Sequence, residues 1–219
     1  EDTIYVISGS PQQVYMLDAQ TGAQTGTYLP QGEHRGAIWW SPVVEGGSSA
    51  FAGFAESDAS IAGLFAFDPE TGQTQWSVPA ESFIIPAPVY AGNSTSSASV
   101  VYFGASDGRF YAVDVEAQAV KPGWPFQAGD AIWASSLAVD GRVYVPAMDH
   151  HLYALDAETG EEIWNRQLGG AIAAAPILKD GILYVGAFDG QLYAIQSDSG
   201  ELIEGFEFQA ENWIWSEVL

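Results

Sequence analysis

One frame of residues returns five times along this chain, and that repetition limits the fold more than any other feature. The clearest two copies are Gly141-Arg-Val-Tyr-Val-Pro-Ala-Met-Asp149 running on to Leu152-Tyr-Ala-Leu-Asp156, and Gly181-Ile-Leu-Tyr-Val-Gly-Ala-Phe-Asp189 running on to Leu192-Tyr-Ala-Ile-Gln196. Earlier copies read Val101 to Asp114, Leu64 to Gly72 and Val14 to Gly22. The residues that close the matching run, at 18, 68, 114, 156 and 196, lie 50, 46, 42 and 40 positions apart. A supersecondary unit of this size cannot bury its apolar face alone and must stack on its neighbours. A period of about 40–50 residues filled with short β runs is that of a propeller blade.

Within each copy the runs are short, β-branched and aromatic, as in Ile182-Leu-Tyr-Val and Leu192-Tyr-Ala-Ile, which is strand composition. Asp107-Gly108 and Asp189-Gly190 divide two such runs. An Asp-Gly pair favours a tight hairpin because glycine accepts a positive φ. Asp18–Gly22, Asp68–Gly72 and Asp156–Gly160 form an Asp-x-x-Thr-Gly corner, where the carboxylate can take turn amides. Asp114 leads instead towards Pro122-Gly-Trp-Pro125, read as a longer corner. One large aromatic follows each corner (Tyr28, Trp76, Trp124, Trp164 and Phe206), a wedge between neighbouring sheets.

An inner strand precedes each frame, at 38–44, 84–90, 132–138, 172–178 and 213–219. The expected fold is all-β: a single propeller domain over residues 1–219 made of four-stranded antiparallel blades. The repeats run approximately over 1–37 with 213–219, then 38–83, 84–131, 132–171 and 172–212. In this reading Trp213–Leu219 returns to the first blade and closes five blades into a ring, which removes exposed sheet edges.

The frame Gly-x-Leu-Tyr-Ala-Leu-Asp-x-x-Thr-Gly-x-x-x-Trp resembles the PQQ-like repeat of quinoprotein-dehydrogenase-type propellers, over nearly the whole chain. The resemblance implies a β-propeller found mostly outside the cytoplasm, in periplasmic, cell-surface or secreted proteins. It also implies kinship with a non-enzymatic branch, the BamB-type assembly proteins. The dehydrogenases of this group use about eight blades, a calcium or lanthanide, a quinone, a catalytic aspartate and often an adjacent cysteine pair. This chain has five repeats and no cysteine, so no cofactor and no catalytic residue is assigned.

Composition narrows function further. Twenty-eight acidic residues face six basic ones, for a net charge of −22. Such a surface repels phosphate and has few cations with which to displace counterions, so nucleic acid is excluded as a partner. No apolar run approaches the ~18 residues of a membrane span, and Glu1 opens no leader-like pattern. The turn Asp149-His150-His151 and the loop residues His34 and Arg35 carry too few convergent donors for a metal or a triad. No nucleophile elbow, phosphate loop or calcium loop occurs.

The tryptophans of the inner strands remain. Aligned, these strands place Trp39, Ile85, Trp133, Ala173 and Ile214 at one position, and Trp40, Pro86, Ala134, Ala174 and Trp215 at the next. Large aromatics at a concave mouth offer stacking surfaces. Trp39, Trp40, Trp133 and Trp215 are therefore the candidate ligand-binding residues. The function read from the sequence is a non-catalytic binding or scaffold module for a protein or peptide partner. A glycan-binding propeller is the alternative, ahead of a glycosidase-like or quinone-dependent enzyme.

Overall fold

The computed structural model describes residues 3–9, 12–28, 43–55, 62–92 and 99–215. They form five antiparallel sheets in chain order, so the all-β reading is met. The first sheet is β1 (Thr3–Gly9), β2 (Gln12–Asp18) and β3 (Gln24–Tyr28). The second is β4 (Val44–Gly46), β5 (Ser49–Ala55), β6 (Ala62–Phe67) and β7 (Thr74–Ala80). The third runs through β8 (Val89–Ala91), β9 (Val100–Gly104) and β10 (Arg109–Asp114), with β11 (Ala119–Val120) and β12 (Phe126–Gln127) both paired to β10. The fourth is β13 (Leu137–Val139), β14 (Arg142–Pro146), β15 (His151–Asp156) and β16 (Glu162–Gln167). The fifth is β17 (Ile177–Lys179), β18 (Ile182–Gly186) and β19 (Leu192–Gln196). The chain divides into two compact units, Glu1–Val101 with Val113–Val120, and Tyr102–Ala112 with Lys121–Leu219; the third sheet contributes to both.

The inner strands are shorter than the sequence reading has them. Of 132–138 only Leu137 and Ala138 are in a strand, and of 172–178 only Ile177 and Leu178. The cause is a two-residue hairpin at Asp140-Gly141 and at Asp180-Gly181, where φ is 50° and 74°, then 51° and 78°. Two positive φ values in succession match the twist of the flanking strands. They pin Leu137 opposite Tyr144 and Ile177 opposite Tyr184. Residues 213–215 are likewise outside any strand. Residues 216–219 lie outside the described residues, and a pairing of 213–219 with β1 is not shown.

Each Asp corner forms as its sequence indicates. Oδ1 of Asp156 accepts the amides of Glu158 at 3.0 Å and Thr159 at 2.8 Å, and Asp18 and Asp68 do the same for the residues two and three places on. Asp114 keeps the turn too, with Gln118 at φ 54° in the glycine's place. The longer corner expected there falls after it, at 121–125, where it splits the outer strand into β11 and β12.

These corners are what the aromatic wedges grip. In the first unit Tyr28 stacks on Phe67 with ring centroids 4.1 Å apart, and its hydroxyl meets Thr74 Oγ1 at 3.2 Å. In the second unit Trp164 donates its Nε1–H to the Ser197 carbonyl at 3.1 Å and lies over Gly200. Trp124 lies in the same way over Gly160. A side chain at Gly200 would collide with the Trp164 ring, so the glycine there provides closeness as well as a positive φ. The Tyr102 and Tyr144 hydroxyls donate to the Ala157 and Ser197 carbonyls at 3.1 and 3.3 Å. Lys121 pairs with Glu158 and Arg142 with Asp198 across the same junctions.

Trp164→Ala removes this packing and a hydrogen bond together and is expected to cost about 3–5 kcal/mol, read from urea unfolding. The Asp156 carboxyl is held below its ordinary value, first by the Thr159 amide. A carboxyl lowered in the folded state stabilises above its unfolded pKa and loses that effect as pH falls through the folded one. The stability gap between the wild type and Asp156→Ala should therefore be constant above about pH 5 and close below about pH 4, measured by denaturant titration at each pH.

Candidate binding surface

The loops that lead into the inner strands are fixed by backbone hydrogen bonds to the preceding hairpin turn. Ile132 donates its amide to the Ala105 carbonyl, Ile172 to Ala147 and Ile214 to Ala187, each at 3.1 Å. A second bond returns from Met148 to Ala131 and from Phe188 to Ala171, both at 2.9 Å. The Ile132 and Ile172 side chains are fully buried. Ile132 sits where a side chain at Gly104 would collide with it, and Ile214 stands in the same relation to Gly186.

With the isoleucine turned inward, fully buried at 132 and 172 and partly at 214, the next residue faces outward. Trp133 is 45% exposed and Trp215 is 74% exposed. The residues one further on, Ala134 and Ala174, are buried again. The hydrogen bonds correct the sequence alignment in the last copy by one place: Trp215 matches Trp133 and Ala173, and Ile214 matches Ile132. Trp39 and Trp40 lie outside the described residues. Trp213, which the sequence reading did not single out, is exposed and stacks on Phe188 with centroids 5.0 Å apart at 13°. Its partner Phe188 stands next to Asp189 in the hairpin turn, where the other copies have Ser106 and Met148.

Beneath these loops lie carboxylates that are already committed. Asp149 Oδ1 accepts the His151 amide at 2.9 Å, and its Oδ2 takes the Gly129 amide at 2.7 Å and the Tyr153 hydroxyl at 2.5 Å. Asp189 repeats this with the Gln191 amide at 3.0 Å and the Tyr193 hydroxyl at 2.5 Å, whose oxygen accepts the Gly169 amide at 3.1 Å. Burial, then the adjoining carboxylates, push both phenols above their ordinary value, Tyr153 the more strongly, so they remain donors. His150 takes φ 73° where the sister turns have glycine, and His151 Nδ1 lies 3.0 Å from the Asp149 carbonyl. Among the described residues no three His, Asp or Glu side chains converge as metal ligands. This donor set does not fit a quinone-and-metal centre.

The geometry is that of a surface with outward indoles on a rigid backbone, and sequence comparison places it. The sequence profile described as outer membrane protein assembly factor BamB matches residues 1–121 and 117–217. The chain belongs to this family of PQQ-like repeat propellers. BamB from Moraxella catarrhalis is 24% identical over 95% of this chain and 58% of that one, with a TM-score of 0.69. The computationally designed protein Ika8 is 18% identical over 99% and 62%, with a TM-score of 0.75. A europium-containing methanol dehydrogenase is 13% identical over 99% and 61%, with a TM-score of 0.77. These likenesses show a shared fold, and this BamB-family chain spans about 58–62% of the length of those proteins. No curated protein matches the chain.

Tyr153→Phe leaves Asp149 Oδ2 one donor short. The expected cost is about 1–3 kcal/mol, with Tyr193→Phe behaving alike, measured by thermal unfolding.

Proposed function

We propose that this chain is a non-catalytic, extracytoplasmic binding module that takes an extended segment of a protein partner across the loops bearing Trp133 and Trp215. The observation that carries the reading is the pair of exposed indoles, each following an isoleucine whose amide is bonded to the preceding hairpin turn, Ile132 fully buried and Ile214 partly so. An exposed indole on an ordered backbone provides a large apolar area at little entropic cost. The BamB family description supports a role in assembling outer membrane proteins, which would bring partners of extended, alternating apolar sequence. A net charge of −22 favours neutral or basic segments among them. The committed carboxylates at Asp149 and Asp189 support binding over hydrolysis.

The test is an array of unstructured peptides, aromatic and basic against acidic, followed by tryptophan fluorescence titration of the hits. Trp133→Ala with Trp215→Ala is expected to weaken a hit at least tenfold, about 1.4 kcal/mol or more, with unfolding unchanged. Undiminished binding by the double variant overturns the proposal. Binding to a glycan array that the same substitutions abolish would assign the surface to carbohydrate instead.

A further inference from the structure

Backbone hydrogen bonds tie the turns and loops of the second unit into one continuous run, and the middle step of that run is hollow. Each step joins one turn to the loop bonded to it. Ile132 bonds to the Ala105 turn, Ile172 to the Ala147 turn and Ile214 to the Ala187 turn, while Met148 and Phe188 bond back to Ala131 and Ala171. Three matching positions per step therefore hold Ser106, Ala131 and Trp133, then Met148, Ala171 and Ala173, then Phe188, Trp213 and Trp215. In the last step these places are full: Trp213 lies on Phe188 with ring centroids 5.0 Å apart at 13°. In the middle step alanine methyls stand where the last step has both indoles, and Met148, Ala171 and Ala173 are each partly exposed. Gly169 and Gly170 lead into that loop, so its approach brings no side chain to fill the space.

The neighbouring step shows what fits. A flat ring seated over Met148 repeats what Trp213 does over Phe188. A thioether is a favourable partner for an aromatic ring, and an indole stands in the step on each side, Trp133 and Trp215. An aliphatic side chain would cover the alanines but forgo the ring contacts. Charge is one-sided too. Asp130 and Glu211, in the two flanking loops, are exposed and pair with no cation among the described residues; Asp130 Oδ1 accepts the adjoining Ala131 amide at 2.7 Å. On the turns 104–109, 146–151 and 186–191 and the loops 129–136, 169–176 and 209–215 the basic side chains are Arg109, His150 and His151. Arg109 already pairs with Asp107, and His151 lies beside Asp149.

We propose that the partner segment presents one aromatic side chain to this hollow, seated over Met148, Ala171 and Ala173, with basic residues on either side of it facing Asp130 and Glu211. The proposal rests on the reading of this surface as a peptide-binding one and adds the residue type that it selects. Trp133 and Trp215 supply contact area; the hollow between them supplies the choice.

Short Gly/Ser peptides with one central phenylalanine, leucine or alanine, set between two lysines or two glutamates, test this when titrated to millimolar concentration against the full chain and followed by tryptophan fluorescence. The phenylalanine peptide with lysines is expected to bind about tenfold or more tightly than its alanine and glutamate counterparts, and several-fold more tightly than the leucine one. Met148→Phe/Ala171→Trp writes the filled last step into the middle one, so it should unfold like the wild type and erase the preference for phenylalanine with Trp133 and Trp215 still in place. Ala171→Leu, a smaller plug, should reduce that preference in part. Asp130→Asn/Glu211→Gln should cut the lysine preference about threefold and leave the preference for phenylalanine. Binding that depends on Trp133 and Trp215 but is indifferent to the central residue, or to filling the hollow, overturns this proposal and leaves the indole surface standing. Binding indifferent to the two indoles as well, or no binding at all, overturns both.

Discussion

An aromatic ring closing over a glycine is the contact on which the repeating structure turns. Trp164 over Gly200 and Trp124 over Gly160 each join one sheet to the corner of the next, and Tyr28 is buried in the same position of the first sheet. The corner must be narrow enough to slide under a ring, which requires glycine, and rigid enough to present its carbonyls, which Asp156 serves under Trp124 by collecting the Glu158 and Thr159 amides, while the Gln196–Gly200 corner under Trp164 holds through the Gly200 amide on the Gln196 carbonyl at 2.9 Å. A substitution in any of the three parts therefore loosens the junction between sheets more than the sheet itself. In a repeat protein, stability is approximately a sum of such nearest-neighbour terms.

Much of this was legible beforehand. The period, the Asp corners and the aromatic after each corner are dense local signals: the three Asp-x-x-Thr-Gly corners form where expected, and Asp114, read as leading to a longer corner, keeps the same turn. The inner strands were placed too early because Ile132-Trp-Ala-Ser-Ser-Leu-Ala138 looks extended and apolar. The decisive signal was Asp140-Gly141, a two-residue hairpin that allows only three paired residues before it. Counting back from Asp180-Gly181 gives β17 by the same rule.

The candidate surface was half legible. Trp133 and Trp215 stand out in composition, but their shared orientation depends on a backbone bond between Ile and Ala that no side-chain pattern announces. The last copy slipped by one place because Trp213-Ile-Trp215 offers two equally good alignments; the Ile214 amide on the Ala187 carbonyl, with its side chain against Gly186, selects between them. The acidic turn residues Asp149 and Asp189 could have been mistaken for reactive groups. Their tyrosine donors, four residues on in each repeat, mark them as structural, and that Asp-x-x-x-Tyr spacing is visible in the sequence.

The short inner strands have a consequence for how such a surface diversifies. Because each loop is anchored through main-chain amides and one inward aliphatic residue, the outward side chain bears none of the scaffold's weight. The chain already holds both extremes at that site, indole in two copies and methyl in a third, on superimposable hydrogen bonding. Recognition can thus drift from lineage to lineage by exchanging one residue per repeat while the sheets stay as they were, and affinity can be gained or lost without a toll on folding.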